Sequence, residues 1–295
     1  MKGLLETVIR GLGNGSVYAL LALGFVIIYK ATRVISFAQP ALMLAGGVAV
    51  SHLAEVTGFY AAVPLAGLLV AGVALGVERA AIRPMVGRPA FVVAIITLGV
   101  DVVVRVVVNA FIGRDVRQVG DPWGFARVEL GPLVVQQRWL AMLAVTAALV
   151  AVLFAFFRHT RHGLAMRAAA HDQEAALAQG ISVGAVFALS WAIAGFLAAV
   201  AGAFAGTGQG IEQSSWVIAL KALPAIIVGG LDSLGGAVAG GLVVGVVESL
   251  FQSYQGEYAP WLGQNFAVVS PYVVMLVVLL VRPYGLFGTR EVERV

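Results

Sequence analysis

Residues 139–157 read WLAMLAVTAALVAVLFAFF, an apolar run with no charge, proline or glycine. A helix crossing a hydrocarbon core about 30 Å thick needs about twenty residues at 1.5 Å rise each, and this run supplies that length. Charge closes it on both sides, at Arg138 and Arg158. It is read as a membrane span, and that reading sets the expectation for the rest of the chain.

Outward from it, eight more windows have the same character: 7–29, 38–55, 61–78, 90–111, 184–206, 216–230, 235–251 and 266–281. The second and seventh are short and contain Pro40 and Pro224, so each is either a broken or re-entrant segment or a full crossing. The whole chain agrees with lipid as its solvent: 60% of residues are hydrophobic and 12% charged, against roughly 45–50% and about 25% in soluble proteins. The expectation is an all-α fold, a polytopic transmembrane helical bundle of eight to nine spans forming one domain over 1–295. The first window is followed by Lys30 and Arg33 and is read as a retained span, not a cleavable signal.

Several function classes drop out. The chain has no cysteine, which removes disulfides and thiolate metal sites. The net charge of +4 is spread along the connections and not gathered into a stripe, so nucleic acid is not an expected partner. None of the four histidines is followed by Glu, which excludes the H-E-x-x-H zinc arrangement, and no metal site is expected. A G-x-S-x-G match surrounds Ser182, but helical flanks on both sides make it a turn, not a nucleophile elbow. No catalytic residue and no cofactor are expected. A phosphate-cradling G-x-x-x-x-G-K-[ST] loop needs Lys after Gly, whereas Lys2, Lys30 and Lys221 follow Met1, Tyr29 and Leu220. Any ATP must therefore be bound by a partner.

Orientation follows from the enrichment of Lys and Arg in short cytoplasmic loops. With the N-terminus outside, eleven of the nineteen cations fall inside, six outside and two, Arg105 and Lys221, within spans. The connection 112–138 is then external and 158–183 cytoplasmic. The latter reads as helix, rich in alanine and stopped at Gly180.

Asp101 and Arg105 lie four apart in the fourth window and share a helix face, where they form an ion pair inside the membrane. Such a pair is either a packing device or part of a proton relay, and the packing role is the simpler one. An internal echo is also present: PALMLAGG at 40–47 resembles PAIIVGG at 224–230, and 66–78 resembles 239–248. The copies run in opposite directions in this orientation. Inverted repeats with Pro- or Gly-interrupted segments in matching positions point to a translocation path, here Phe37, Gln39, Pro40, Leu42 and Ala45 with Pro224, Ile226 and Val228. Gly235, Gly236, Gly240, Gly241 and Gly245 form a stripe suited to close helix approach.

Three stretches carry a family resemblance. They are Phe37-Ala38-Gln39 with Glu78-Arg79 and Arg83-Pro84; the run from Arg161 through Gly163, Arg167 and Ala168 to Asp172, Glu174, Ala175, Ala176 and Gly180; and Gly229-Gly230-Leu231-Asp232-Ser233 with Gly236, Gly240, Gly241 and Glu248. Together they resemble the permeases of the branched-chain amino acid ABC importers, the LivH type, over nearly the whole chain. The chain departs from that pattern at Ser36 and Pro40, where the family has Asn and Gly. The resemblance implies a transport subunit of the plasma (inner) membrane that is not itself an enzyme. It implies a second permease subunit, two cytosolic ATPase subunits and an external solute-binding protein as partners. It makes the run from Arg161 to Gly180 the coupling segment, and the external Arg114, Arg117 and Arg127 candidates for docking the binding protein. The resemblance implies a branched-chain or related small amino acid as substrate, with urea or a short amide as the alternative within the family. An ion-coupled secondary transporter using Asp101 and Arg105 is the competing class.

Overall fold

A computed structural model describes residues 2–85, 87–113, 115–131, 133–263 and 265–289. The chain forms α1 (Lys2–Thr32), α2 (Gln39–Thr57), α3 (Phe59–Val77) and α4 (Ala90–Ile112), then strands β1 (Arg127–Leu130) and β2 (Leu133–Gln136). There follow α5 (Gln137–His159), α6 (Arg161–His171), α7 (Gln173–Ala178) and α8 (Val183–Ala205). The last elements are α9 (Val217–Leu220), α10 (Ala222–Gly229), α11 (Leu234–Tyr258) and α12 (Phe266–Val281). Every apolar window lies on helix. Among the described residues, seven helices are long and apolar enough to cross a membrane, and Val217–Gly229 and Phe266–Val281 are shorter. The architecture is an all-α polytopic bundle.

Burial separates centre from rim. The apolar stretch of α1 is 89% buried and that of α8 61%, while α3, α4 and α5 bury only 28%, 22% and 22%. Side chains such as Leu68, Phe91, Val103 and Val152 therefore project outward from the rim, as a bundle bathed in lipid requires, since lipid replaces water as the apolar side chains' surroundings.

Small residues set the centre. α1 runs antiparallel along α11, with Gly11 against Val246, Gly15 against Leu242 and Ala19 against Gly241. A Cβ on Gly241 would lie 2.5 Å from the Ala19 backbone, so only glycine permits this approach. α8 runs antiparallel along α3 in the same manner, with Gly195 packed on Val70 and Ala74, and Gly67 on Phe196. Each of the two central helices thus packs along a helix from the other half of the chain. α2–α3 and α10–α11 are the elements whose sequences echo one another.

Three local features differ from the sequence expectation. The 112–138 connection holds an antiparallel hairpin pairing Arg127 with Gln136 and Leu130 with Leu133, with Gly131 at φ 64° in its turn. The Trp123 ring docks this connection by stacking on Phe204 at 6.0 Å and meeting Phe59 edge-on at 5.3 Å. The single helix expected over 158–183 is two, because Asp172 leaves the helical region (φ −150°, ψ 114°) and caps α7 by accepting from the Ala175 amide at 3.0 Å. α3 continues through a π-turn at Glu78–Ile82 and a 3-10 turn at Arg83–Met85. Wider π spacing puts residues five apart on one face, and the buried Glu78 carboxylate there accepts two bonds from Arg83, both 3.1 Å. Arg83 also donates to the Gly184 carbonyl at 3.1 Å, which fastens the end of α3 to the start of α8.

The bundle has two ends. One carries the start of α1, the ends of α2, α4, α8 and α11, and the hairpin; we call it the hairpin face. The other carries α6, α7 and the 230–233 turn.

Candidate functional site

Both broken segments start helix near the middle of the bundle. The chain leaves α1 through Arg33, which takes a left-handed φ of 57°, and runs without regular structure to Gln39. The Phe37 amide then donates to Thr97 Oγ1 at 3.0 Å and the Ala41 amide to Asp101 Oδ1 at 3.0 Å. Asp101 lies at the middle of the 23-residue α4, so α2 begins at that level. In the second half, the chain leaves α8 at the hairpin face, where Ile211 and Arg117 exchange backbone hydrogen bonds of 2.7 and 2.9 Å. It then descends through the short α9 to Lys221, whose Nζ meets Glu248 Oε1 at 2.5 Å. Glu248 lies near the middle of the 25-residue α11. From that level α10 runs on to the opposite end.

Each start is held by an ion pair. Thr97, Asp101 and Arg105 are spaced four apart and form one stripe on α4. Asp101 uses one oxygen for the orphan Ala41 amide and the other for Arg105 at 2.7 Å. A carboxylate on free amides at a helix start is favoured by the helix dipole and by the charge-assisted bond. The Arg105 guanidinium in turn sits 4.1 Å above the ring of Trp216, the residue immediately before α9. One stripe therefore joins the start of α2 to the residue that opens the other broken segment. In the second half Glu248 accepts from Tyr18 Oη at 2.6 Å as well as from Lys221, which ties α1, α10 and α11 together. Both pairs face protein and not lipid, the arrangement that makes intramembrane charge tolerable.

The path residues read from sequence gather on these segments. Gln39, Pro40, Leu42, Pro224, Ile226 and Val228 are buried within the chain, while Phe37 and Ala45 are half-buried. Gln39 is wholly buried beside Gly24, and neither of its amide atoms has a hydrogen-bond partner among the described residues.

On the opposite end, Thr160 caps α6 by accepting from the Gly163 amide at 3.0 Å. Arg161, Asp172, Glu174, Ala175 and Gly180 are exposed, Ala168 is half-buried, and Gly163 and Ala176 face inward. Arg167 is exposed and lines a cleft with Lys30 and Arg33. On the hairpin face Arg117 pairs with Glu55 at 3.2 Å, Arg127 is exposed on β1, and Arg114 lies outside the described residues.

Sequence reading missed three partners: Thr97, Trp216 and Tyr18. It counted Lys221 within a span and named Glu248 in a motif without pairing the two. Their pairing had one legible signal, because charges in neighbouring apolar segments need a partner in lipid. Nothing in the spacing identifies which aromatic ring or hydroxyl completes each set.

Comparison with known proteins gives the family. Residues 7–281 match the family described as branched-chain amino acid transport system / permease component. The high-affinity branched-chain amino acid transport system permease protein LivH of Salmonella typhimurium is 29% identical, covering 99% of this chain and 97% of that protein. BraD of Pseudomonas aeruginosa, described in the same terms, is 27% identical over 99% and 98%. A probable branched-chain amino acid transport permease protein LivH of Methanocaldococcus jannaschii is 30% identical over 91% and 88%. A solved structure of PsaBC from Streptococcus pneumoniae in complex with Fab has a TM-score of 0.49 and 14% identity over 93% of this chain and 91% of that one, too distant a likeness to add to the fold already described. With a match over nearly its full length, the chain belongs to the branched-chain amino acid transport permease family.

Proposed function

We propose that this permease moves branched-chain or related small amino acids inward across the plasma (inner) membrane, driven by ATP hydrolysis on two cytosolic ATPase subunits. It works beside a second permease subunit and receives substrate from an external solute-binding protein. The substrate class rests on the functions for which the relatives are named, and the direction on the cation bias, with the N-terminus outside and the C-terminus cytoplasmic. In that orientation the hairpin face is external and α6–α7 cytoplasmic. The translocation path follows the two broken segments.

The observation that carries the reading is the α6–α7 pair. Both helices begin with a side-chain cap, at Thr160 and Asp172. α6 packs on α5, α1 and α8, and α7 packs on α8. Capped helices that present exposed Arg161, Glu174 and Ala175 while resting on the central helices are stiff enough to pass a push inward. α1 and α8 are also the helices against which α10 and α2 pack. A displacement at α6–α7 therefore has a packed route to both broken segments. On the external side, exposed Arg127, with Arg114 and Arg117, steers the binding protein. Such rim charges act on association rate and weaken with salt.

The test is reconstitution of the chain with its ATPases, a second permease and a binding protein, followed by uptake across a panel of branched-chain amino acids, urea and short amides. ATP-dependent accumulation of a branched-chain amino acid supports the reading. Uptake that persists without ATP hydrolysis and follows a proton gradient would overturn it in favour of a secondary transporter.

A further inference from the structure

Where α1 ends, a cleft opens between the Arg33 turn, α6, the 230–233 turn and the segment after α12. It has two adjoining parts. A cavity of about 300 Å³ is lined by Lys30, Arg33, Arg167 and His171 together with Asp232 and Thr289. A cavity of about 370 Å³ shares Tyr29, Arg33, Asp232 and Thr289 with it and continues along apolar Ile227, Leu231, Leu279 and Pro283. One end is cationic and the other greasy.

Among the described residues, the cationic end carries charge that its surroundings do not neutralise. Lys30 Nζ donates to the backbone carbonyl of Asp232 at 2.9 Å, and Arg33 donates to the Ala170 carbonyl at 2.8 Å. The Asp232 carboxylate instead receives the Thr289 amide at 3.3 Å and the Thr289 hydroxyl. Among the described residues neither Lys30, Arg33 nor Arg167 forms an ion pair. Three cations against one carboxylate leave a net positive cavity, and arginine favours a phosphate by offering two parallel donors.

We propose that this cleft holds one anionic phospholipid of the cytoplasmic leaflet, its phosphate on Lys30, Arg33 and Arg167 and an acyl chain along Ile227, Leu231 and Leu279. The charge end alone would suit free phosphate equally; the adjoining apolar end is what commits the cleft to a lipid. Basic pockets between helices at the cytoplasmic rim are suited to anionic headgroups, which that leaflet concentrates. The bound lipid bridges the end of α1, α6 and the 230–233 turn, so it braces the coupling helix against the second broken segment. The proposal rests on the orientation given above.

The test uses the complex assembled with its ATPase subunits, titrated in detergent with phosphatidylglycerol or phosphatidylcholine and read by native mass spectrometry. Wild type should retain phosphatidylglycerol preferentially, and Lys30→Gln with Arg33→Gln should lower that retention by about tenfold or more. Leu279→Asn should also lower lipid retention, and inorganic phosphate should fail to displace the lipid at millimolar concentration. Equal retention of both lipids by wild type, or unchanged retention in the double variant, would overturn the proposal. So would displacement by free phosphate, which would make the apolar end irrelevant. If wild type binds no lipid until Glu291 and Glu293 are changed to Gln, the chain's own tail is the occupant and the proposal fails. Monodisperse assembly of each variant guards against misfolding. A wrong orientation shows separately, as labelling of a His162→Cys variant from outside intact cells.

Discussion

The carboxylate of Asp101 accepts the amide of Ala41 at 3.0 Å across sixty residues of sequence, at the level where α2 starts. A helix that starts inside a bundle leaves amides that neither water nor the preceding chain can satisfy. Asp101 supplies the acceptor, and Arg105, 2.7 Å away, makes the carboxylate's charge tolerable. The stripe is therefore a structural clasp, and a proton relay is not needed to account for it.

If so, the two charges should be energetically coupled. Asp101→Asn and Arg105→Gln should each cost about 3–5 kcal/mol, because the remaining charge stays buried without its partner. The double variant should cost clearly less than their sum. A double-mutant cycle on unfolding of the purified protein in detergent measures this coupling. Strict additivity would mean that the pair contributes nothing as a pair.

Close packing of α1 on α11 depends on glycine at the contact. Gly241→Leu would drive a side chain into the Ala19 backbone, which a Cβ would already approach to 2.5 Å. Backbone cannot give way as a flexible side chain can, so the loss should exceed the usual overpacking cost of about 1–3 kcal/mol and the protein should fail to accumulate in the membrane. Gly99 on the rim has open space where its Cβ would be. Gly99→Ala should be neutral or stabilise by up to about 1 kcal/mol through helix propensity. Comparable accumulation of both variants would refute the packing account.

Much of this fold was legible because lipid imposes length. A run such as 139–157 needs no knowledge of its neighbours to be read as a helix, and every such window lies on one. Asp101 and Arg105 were legible as a pair because four-residue spacing is local. What the sequence hid was non-local. Lys221 and Glu248 are 27 residues apart, one at the junction of α9 and α10 and the other on α11, and Trp216 reaches Arg105 only through tertiary packing. The break at Asp172 was hidden for a different reason: alanine on both sides raises helix propensity, and a capping aspartate inside such a run looks like any polar residue on a solvated face.

The broken segments can be probed in a chain that has no native cysteine. Phe37 and Ala45 are half-buried, whereas Leu42, Ile226 and Val228 are buried. In the assembled complex, Phe37→Cys and Ala45→Cys should react with a water-soluble thiol reagent at rest. Leu42→Cys, Ile226→Cys and Val228→Cys should react at least several-fold faster during ATP turnover than at rest, since a path opens only as the transporter cycles. Complete protection of all five through the cycle would move the path away from these segments.

If α6–α7 meets the ATPase as proposed, transmission of ATP-driven movement depends on α7 being a short, capped and outward-facing helix. Ala175 is exposed and Ala176 is buried at 3% relative exposure, so only the first can be enlarged without disturbing the chain's own packing. Ala175→Trp should leave membrane insertion, yield and thermal stability within experimental error. It should also lower substrate-stimulated ATP hydrolysis and uptake together, by tenfold or so if the ATPase meets this face, since a steric clash of about 1.4 kcal/mol already changes an equilibrium tenfold. Asp172→Ala works through stiffness instead. Loss of its bond to the Ala175 amide removes the cap, at a cost of about 1 kcal/mol to a helix of only six residues. That variant should keep the ATPases bound yet consume more ATP per substrate moved, because a frayed α7 absorbs movement that a capped one transmits. Asp172→Ser, which restores a capping oxygen without the charge, should recover most of the coupling. If Asp172→Ala and Asp172→Ser behave alike while Ala175→Trp transports normally, α6–α7 is a solvated ornament of the cytoplasmic face and the motor engages the permease elsewhere.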